Sequence, residues 1–218
     1  MNSFTHAIIF DLDGVLLDSE SNMDWMKQAL IDTLQAFNIE PTEKNIQILD
    51  QKNLKKFPQI ATNFNLNVEK LWEIRNKHYT KRKLEAIQSE RITPFSDVSA
   101  VRSLKNKAEL AILSNSPQEV VDEFLRQFNL EHTFSAAVGR SSKYEDIFRL
   151  KPHPLLWKKL QPLLTGTKII YVGDRKSDKI FANKMNMKFF GLNRYDHTFI
   201  DGFSSLHDIV QSVQKIIK

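Results

Sequence analysis

The chain contains no cysteine, which excludes disulfides, thiolate zinc sites and iron–sulfur clusters and fits a reducing cytoplasm. No window approaches the roughly 18 consecutive apolar residues of a membrane span, and the N-terminus has no basic stretch followed by a long apolar one. The reading is a cytoplasmic protein with no membrane partner, either monomer or homodimer. Internal repeats and low-complexity segments are lacking as well. What is present is an ordinary globular composition: 218 residues, 41% hydrophobic and 26% charged, enough for one large domain or a domain with a sizeable insertion. Thirty-one Lys and Arg against 26 Asp and Glu give a net charge of +5, which suits anionic small substrates, nucleic acid or simply a solvated basic surface.

Four short apolar runs read as buried strands: 6–10, 109–113, 168–172 and 188–192. Helical patterns at 117–128, 154–164 and 176–187 lie among the later ones. Strand alternating with helix predicts an α/β fold, a Rossmann-like parallel sheet with helices on both faces.

The stretch 19–92 has no strand pattern. Met23, Met26, Leu30, Leu34 and Phe37 recur at spacings of three and four, so 20–38 is predicted as an amphipathic helix. A second long helix is predicted over 68–90, strongly basic from Lys77 to Lys83. The sequence thus divides into a core unit, 1–18 with 93–218, and an all-helical insertion, 19–92, placed after the first strand. Thr93-Pro94-Phe95 reads as the return linker, and Trp25 and Trp72 read as core of the insertion.

Ligands bind at the carboxyl ends of strands in such sheets. Here those ends carry Asp11 and Asp13, Ser114 and Asn115, and Asp174 with Asp178, while Lys151 comes from a loop in Leu-Lys-Pro-His-Pro. Carboxylates crowded together raise one another's pKa, so the cluster calls for a cation. Oxygen donors without thiolate point to Mg²⁺. A metal beside a Lys and a Ser hydroxyl suggests a phosphate, held by Lys151, Ser114 and backbone amides. Gly14, after Asp13, suits a tight turn with positive φ and close backbone approach to the phosphate.

These segments appear in a fixed order: Asp11-Leu-Asp-Gly-Val, Ser114 after an apolar strand, Lys151 in Lys-Pro-His-Pro, and Gly173-Asp174-Arg-Lys-Ser-Asp178. In that order the sequence resembles the haloacid dehalogenase superfamily, in the branch with a helical cap after the first motif. The resemblance implies a Mg²⁺-dependent phosphatase acting on small phosphorylated metabolites through an aspartyl-phosphate. Asp11 would be the nucleophile and Asp13 the general acid and base. Lys151 and Ser114 would hold the transferring phosphoryl group, with Asn115 and Gly14 beside it. The metal would take the side chain of Asp11, the backbone carbonyl of Asp13 and the side chain of Asp174. Asp178 would either ligate directly or support Lys151 and the metal's waters.

Phosphoglycolate is the leading substrate expectation, by analogy with capped relatives. Arg175 and Lys176 depart from the family's usual small polar residues, adding positive charge that either recruits an anionic group or faces solvent. Asp18, Ser19 and Glu20 begin the hinge into the cap; His153 has no part in the family's chemistry. Asp13 argues against a dehalogenase, which lacks the second aspartate. A receiver domain would not place its phosphoacceptor so early or follow it with a helical insertion. Two alternatives stay open: a phosphosugar mutase of the β-phosphoglucomutase type, and a nucleic-acid-binding module that uses Lys77 to Lys83 as its stripe.

Overall fold

The computed structural model describes residues 4–51, 54–195 and 197–217. β1 (His6–Phe10) leads through a tight turn to β2 (Leu17–Asp18), and the chain then runs through α1 (Asp24–Ala36), α2 (Glu43–Leu49), α3 (Phe57–Asn63) and α4 (Val68–Gln88). It returns on β3 (Thr93–Pro94), which pairs antiparallel with β2, so the expected return linker and the outgoing hinge lie side by side. After a 3₁₀ helix at Val98–Leu104 come β4 (Glu109–Pro117), α5 (Gln118–Gln127), β5 (Ala136–Arg140), α6 (Leu155–Leu160), β6 (Lys168–Gly173), α7 (Lys176–Lys184), β7 (Lys188–Gly191) and α8 (Leu206–Ile216).

Five strands form one parallel sheet in the order β5-β4-β1-β6-β7. From β1 the chain fills one side of the sheet and then crosses to the other, so the order reverses beside β1 and opens a crevice at its carboxyl end. The apolar runs read as strands because both faces of the sheet are covered. Ile8, Phe10, Leu110, Ile112, Ile170 and Val172 pack towards α5 and α8, while Ile9, Ala111, Leu113 and Tyr171 pack towards α6 and α7. Each fully buried Ile, Leu or Val contributes roughly 1.5–3 kcal/mol.

β5 was not expected. Its sequence, Ala-Ala-Val-Gly-Arg, has little intrinsic strand preference, and the ladder to β4 makes it a strand. β4 also runs on past Leu113 to Pro117, so Ser114 and Asn115 lie within it rather than beyond it. Between the pairs Leu113↔Val138 and Pro117↔Arg140, β4 advances four residues against two on β5. That irregularity bulges Ser114–Ser116 out of regular register and re-aims their side chains.

Helix ends explain the other boundary differences. Pro162 cannot continue an α-helix, so the predicted 154–164 becomes α6 and a 3₁₀ turn, Gln161–Leu163. With only six glycines, the chain closes α1, α3, α5 and α7 with Asn38, Asn65, Asn129 and Asn186, each at φ between 51° and 56°. Asparagine tolerates this left-handed conformation better than other side chains.

The insertion has its own cluster, built from Leu30, Leu34, Leu49, Phe57, Leu71 and Trp72 among others. Trp72 lies there as expected, edge-on to Phe57 at 5.4 Å. Trp25 instead joins the main core with Ala86 and Ile87, stitching α1 and α4 to the sheet unit.

Asp97 ties the end of the chain to the core. Arg194 grips it with two bonds of 2.6 and 2.9 Å, and the N–H of Leu206 donates to it at 2.8 Å, fixing the start of α8. Burial pushes the Asp97 carboxyl up, but Arg194 and the Leu206 amide outweigh it and hold the pKa below the ordinary value. A depressed carboxylate contributes stability above its unfolded pKa and loses it as the pH falls. Asp97→Asn is therefore expected to cost roughly 2–3 kcal/mol at pH 7, lowering Tm by roughly 5–10 °C. The difference should close as thermal unfolding is repeated below about pH 4; a difference constant from pH 7 to pH 3 would refute the ion pair's role.

Candidate active site

Asp11 is the first residue past β1, and its N–H still donates to the Val172 carbonyl at 2.9 Å, the last rung shared with β6. Its Oδ1 accepts the Leu12 N–H at 2.8 Å, which aims Oδ2 across the crevice. There the ammonium of Lys151 sits 2.8 Å from Asp11 Oδ2, 2.8 Å from Asp178 Oδ1 and 2.7 Å from the Tyr171 hydroxyl. Tyr171 in turn donates to the Leu113 carbonyl. The Lys151 side chain is 1% exposed, so its charge is offset by protein alone. Burial alone would lower its pKa; Asp11 and Asp178 outweigh that and raise it well above the ordinary value.

Asp174 follows β6 and completes the cluster. One carboxylate oxygen each from Asp11, Asp174 and Asp178 lies within 4.8 Å of the others. Asp11 and Asp178 share one lysine while Asp174 has only Arg175, 3.7 Å away, and the crowding shows in the acidities of Asp11 and Asp174. Burial, aided by Asp178 and Asp13 and opposed by Lys151, raises Asp11 to about 6. Burial together with Asp11 and Asp178 raises Asp174 to about 8. Asp174 Oδ1 is buried with no hydrogen-bond partner. An all-oxygen set with surplus negative charge and an unclaimed lone pair fits a hard divalent cation such as Mg²⁺. Asp178 is the most committed of the three: Oδ1 holds Lys151, and Oδ2 accepts the Arg175 N–H at 3.1 Å.

Gly14 occupies φ +75°, as its place in the turn suggested. The close approach it permits is to Asp174: a Cβ at residue 14 would stand 2.2 Å from Asp174 Oδ2. No side chain fits between the turn and the carboxylate.

Asp13 points the other way, towards the insertion. Its Oδ1 accepts from Ser19 Oγ at 2.7 Å and from Lys83 Nζ at 2.5 Å, and its Oδ2 accepts from Ser116 Oγ at 2.5 Å. Burial raises this carboxyl, but Lys83 and the hydroxyls outweigh it and bring it down to about 2. Lys83 also donates to Ser116 at 3.0 Å.

The structure therefore brings Asp11, Lys151, Asp174 and Asp178 together, sets Asp13 beside them, and gives the β4 residues distinct tasks. Asn115 Oδ1 accepts the Lys151 N–H at 2.9 Å, holding the loop that carries the lysine. Ser114 Oγ accepts the Ser116 N–H at 3.0 Å. Ser114 does not cap α5, whose first turn follows Pro117 without a side-chain cap. His153, just before α6, accepts the Leu155 N–H on Nδ1 at 3.1 Å. Arg175 pairs with Glu20 and lies 3.7 Å from Asp174, so its charge joins the hinge to the acidic cluster rather than facing solvent alone.

Sequence reasoning missed Lys83, Ser116, Ser19 and Tyr171 as partners of the carboxylates. Two signals were available. Ser116 is two residues beyond Ser114, and Tyr171 is the one polar-tipped side chain in an otherwise apolar strand core. Lys83 was read with Lys77 as part of a basic stripe, yet it is buried while Lys77 and Lys81 are exposed. Trp72, Asn76, Tyr79 and Lys83 follow at spacings of four, three and four, the pattern of one helix face turned inward. With Lys83 on Asp13 and Arg82 on Asp32 and Glu85, the run is no continuous phosphate-binding stripe.

A carboxylate cluster at the switch point of a parallel sheet, bracketed by a buried lysine, has the charges that phosphoryl-transfer chemistry needs. The sequence profile of the haloacid dehalogenase-like hydrolases matches residues 8–192, and the chain belongs to that family. Among its relatives is the phosphoglycolate phosphatase of Aliivibrio fischeri, 26% identical over 200 residues that cover 87% of this chain and 85% of the relative. Membership of that family makes it an enzyme of the hydrolase kind. The fold is shared with a predicted phosphoglycolate phosphatase from Haemophilus somnus at TM-score 0.70 and 21% identity, covering 98% of this chain and 100% of that one. It is also shared with a protein assigned as a β-phosphoglucomutase from Thermotoga maritima at TM-score 0.64 and 19% identity, covering 97% and 99%. Among the described residues no helix is long and apolar enough to cross a membrane.

Proposed function

We propose that the protein is a Mg²⁺-dependent phosphatase of small phosphate monoesters, with phosphoglycolate the first substrate to test. The observation that carries this is the Lys151 ammonium held between Asp11 and Asp178, with Asp174 within reach of both acids. Asp11 Oδ2 attacks phosphorus, the ester P–O bond breaks, and the phosphoryl group passes to the carboxylate. Asp13 supplies the proton to the leaving oxygen and then removes one from the water that splits the acyl phosphate, a role worth roughly 10²- to 10⁴-fold. In the arrangement seen here Lys83 keeps Asp13 ionised, the form that acts as base. To act as acid Asp13 must first take up a proton from solvent, a step that the Lys83 contact opposes. Lys151 and Ser114 hold the phosphoryl oxygens against the charge that builds on them.

Asp11, Asp174 and the backbone of Asp13 would hold the metal, which supplies charge neutralisation at the phosphoryl oxygens. Asp178 serves as bracket for Lys151. Residues 19–92 form a cap over the 1–18 and 93–218 unit, and Asp18, Ser19 and Glu20 form its hinge. The phosphoglycolate reading is supported by the relative from Aliivibrio fischeri.

Two measurements test this reading. Phosphate release should appear with Mg²⁺ from a panel of small phosphate esters and vanish with chelator. A hexose 1-phosphate that yields hexose 6-phosphate without free phosphate would instead establish a mutase. Binding is checked without turnover: Mg²⁺ at about 100 times its Kd should stabilise the fold by roughly 2.7 kcal/mol, raising Tm by roughly 5–10 °C. Asp174→Asn should remove most of that rise; an equal rise in the variant would place the metal elsewhere.

A further inference from the structure

Four cationic side chains are buried among the described residues: Arg75, Lys83, Arg140 and Lys151. Lys83 holds Asp13, and Lys151 holds Asp11 and Asp178. Neither Arg75, 5% exposed, nor Arg140, 4% exposed, has a carboxylate within 4.0 Å among the described residues. A buried charge is retained only with compensation, and what these two have is incomplete. Arg140 donates to the neighbouring Ser141 carbonyl at 3.1 Å. Its guanidinium lies 5.0 Å from the centre of the Trp72 ring, and that of Arg75 lies 5.9 Å from the Phe57 ring. Arg75 Nε is buried with no hydrogen-bond partner, as is Oδ1 of the adjacent Asn76.

Asp50 acts on Arg75 and Glu119 on Arg140 only from beyond ion-pair distance. Both guanidiniums lie within 6.0 Å of the Tyr79 ring, and Lys83 Nζ lies 5.7 Å from the same ring on its way to Asp13. Arg140 ends β5, at the carboxyl edge of the sheet. Its strand is two over from β1, and it lies two residues beyond Val138, the β5 residue level with Asp11. Arg75 reaches this place from α4, the helix that also delivers Lys83. Arg140 is brought down to about 10 by burial and by Arg75, against the pull of Tyr79 and Glu119, and burial likewise lowers Arg75 against Tyr79 and Asp50.

We propose that Arg75 and Arg140 form a subsite for a second anionic group, carboxylate or phosphate, carried by the leaving-group side of the phosphate ester. The proposal rests on the phosphatase reading and names its substrate class. Planar guanidiniums suit either anion because each offers paired N–H donors to paired oxygens. A site built to bind a polar group rejects analogues that lack it, since its own charges are then left unpaired.

The test compares kcat/KM for phosphoglycolate, a hexose bisphosphate and p-nitrophenyl phosphate in the wild type, Arg75→Gln, Arg140→Gln and Arg140→Lys. One of the two doubly anionic esters should exceed p-nitrophenyl phosphate by at least roughly 10-fold in the wild type, and which one does so separates carboxylate from phosphate. In both Gln variants that ratio should fall by about the same factor, through KM, and Arg140→Lys should restore part of it. An unchanged ratio in both Gln variants overturns the proposal, as does a wild type that prefers the ester with no second anion. If a Gln variant fails to fold, the wild-type ratio and Arg140→Lys decide on the same terms. A wild type that hydrolyses p-nitrophenyl phosphate without preference sinks the subsite alone; one that hydrolyses none of the three sinks the phosphatase reading, and the subsite with it.

Discussion

Asp11→Asn should release phosphate at least roughly 10⁴-fold more slowly than the wild type, the scale seen when a nucleophile is removed from a constellation that acts as a unit. The amide has nearly the shape of the carboxylate, so its carbonyl oxygen can still face Lys151 at the position now 2.8 Å away. What disappears is the nucleophile. The measurement that isolates this cause is acid-quenched turnover followed by peptide mass analysis. The wild type should carry a phosphoryl group on the peptide containing Asp11, and the variant none. A phosphoryl adduct on any other residue, or turnover within 10-fold of wild type, would remove Asp11 from the role.

Lys151→Met should have the second-largest effect, and on two properties at once. The lysine is the one cation in direct contact with Asp11 and Asp178 among the described residues, and all three side chains are 9% exposed or less. Removing one partner of a buried ion pair while leaving the others charged costs roughly 3–5 kcal/mol, which lowers Tm by roughly 6–20 °C for a chain of this length. Phosphate release should fall by roughly 10²- to 10³-fold, the usual effect of deleting one electrostatic contact to the transition state. Stability is read on the chelated and the Mg²⁺-loaded protein, and phosphate release on the loaded one. A variant of wild-type stability would mean that the acids are neutral in the resting fold, and the bracket would not be an ionic one.

Much of this site was legible because its members are fixed by local rules. Asp11 and Asp13 follow a buried strand, Asp174 follows another, and Asp178 stands one helical turn further on. Strand ends in a parallel sheet converge on one edge whatever the rest of the chain does. Gly14 was legible for a similar reason, since its place in the tight turn after Asp13 called for positive φ.

Other residues could not be read this way. Arg75 and Lys83 look like a solvated helix face in sequence, because charged residues are rarely buried without partners. The partners of Lys83 are 70 residues before it and 33 after it. The spacing of Trp72, Asn76, Tyr79 and Lys83 marks an inward face of α4, but not which distant groups that face will meet. β5 was hidden for the converse reason: its residues have little preference of their own, and the ladder with β4 supplies the stability.

Strand period and position along the chain were enough to read a parallel α/β sheet with acids at its strand ends, and the ordered motifs of the resemblance added Lys151. What no local rule supplied is the tertiary meeting of α4 with the sheet unit, which sets Lys83 on Asp13 and buries Arg75 of α4 and Arg140 of β5 without an ion-pair partner. The physical reason is that burying a charge is a long-range matter. Its cost depends on which distant groups the fold brings within a few ångströms, and no stretch of sequence carries that distance.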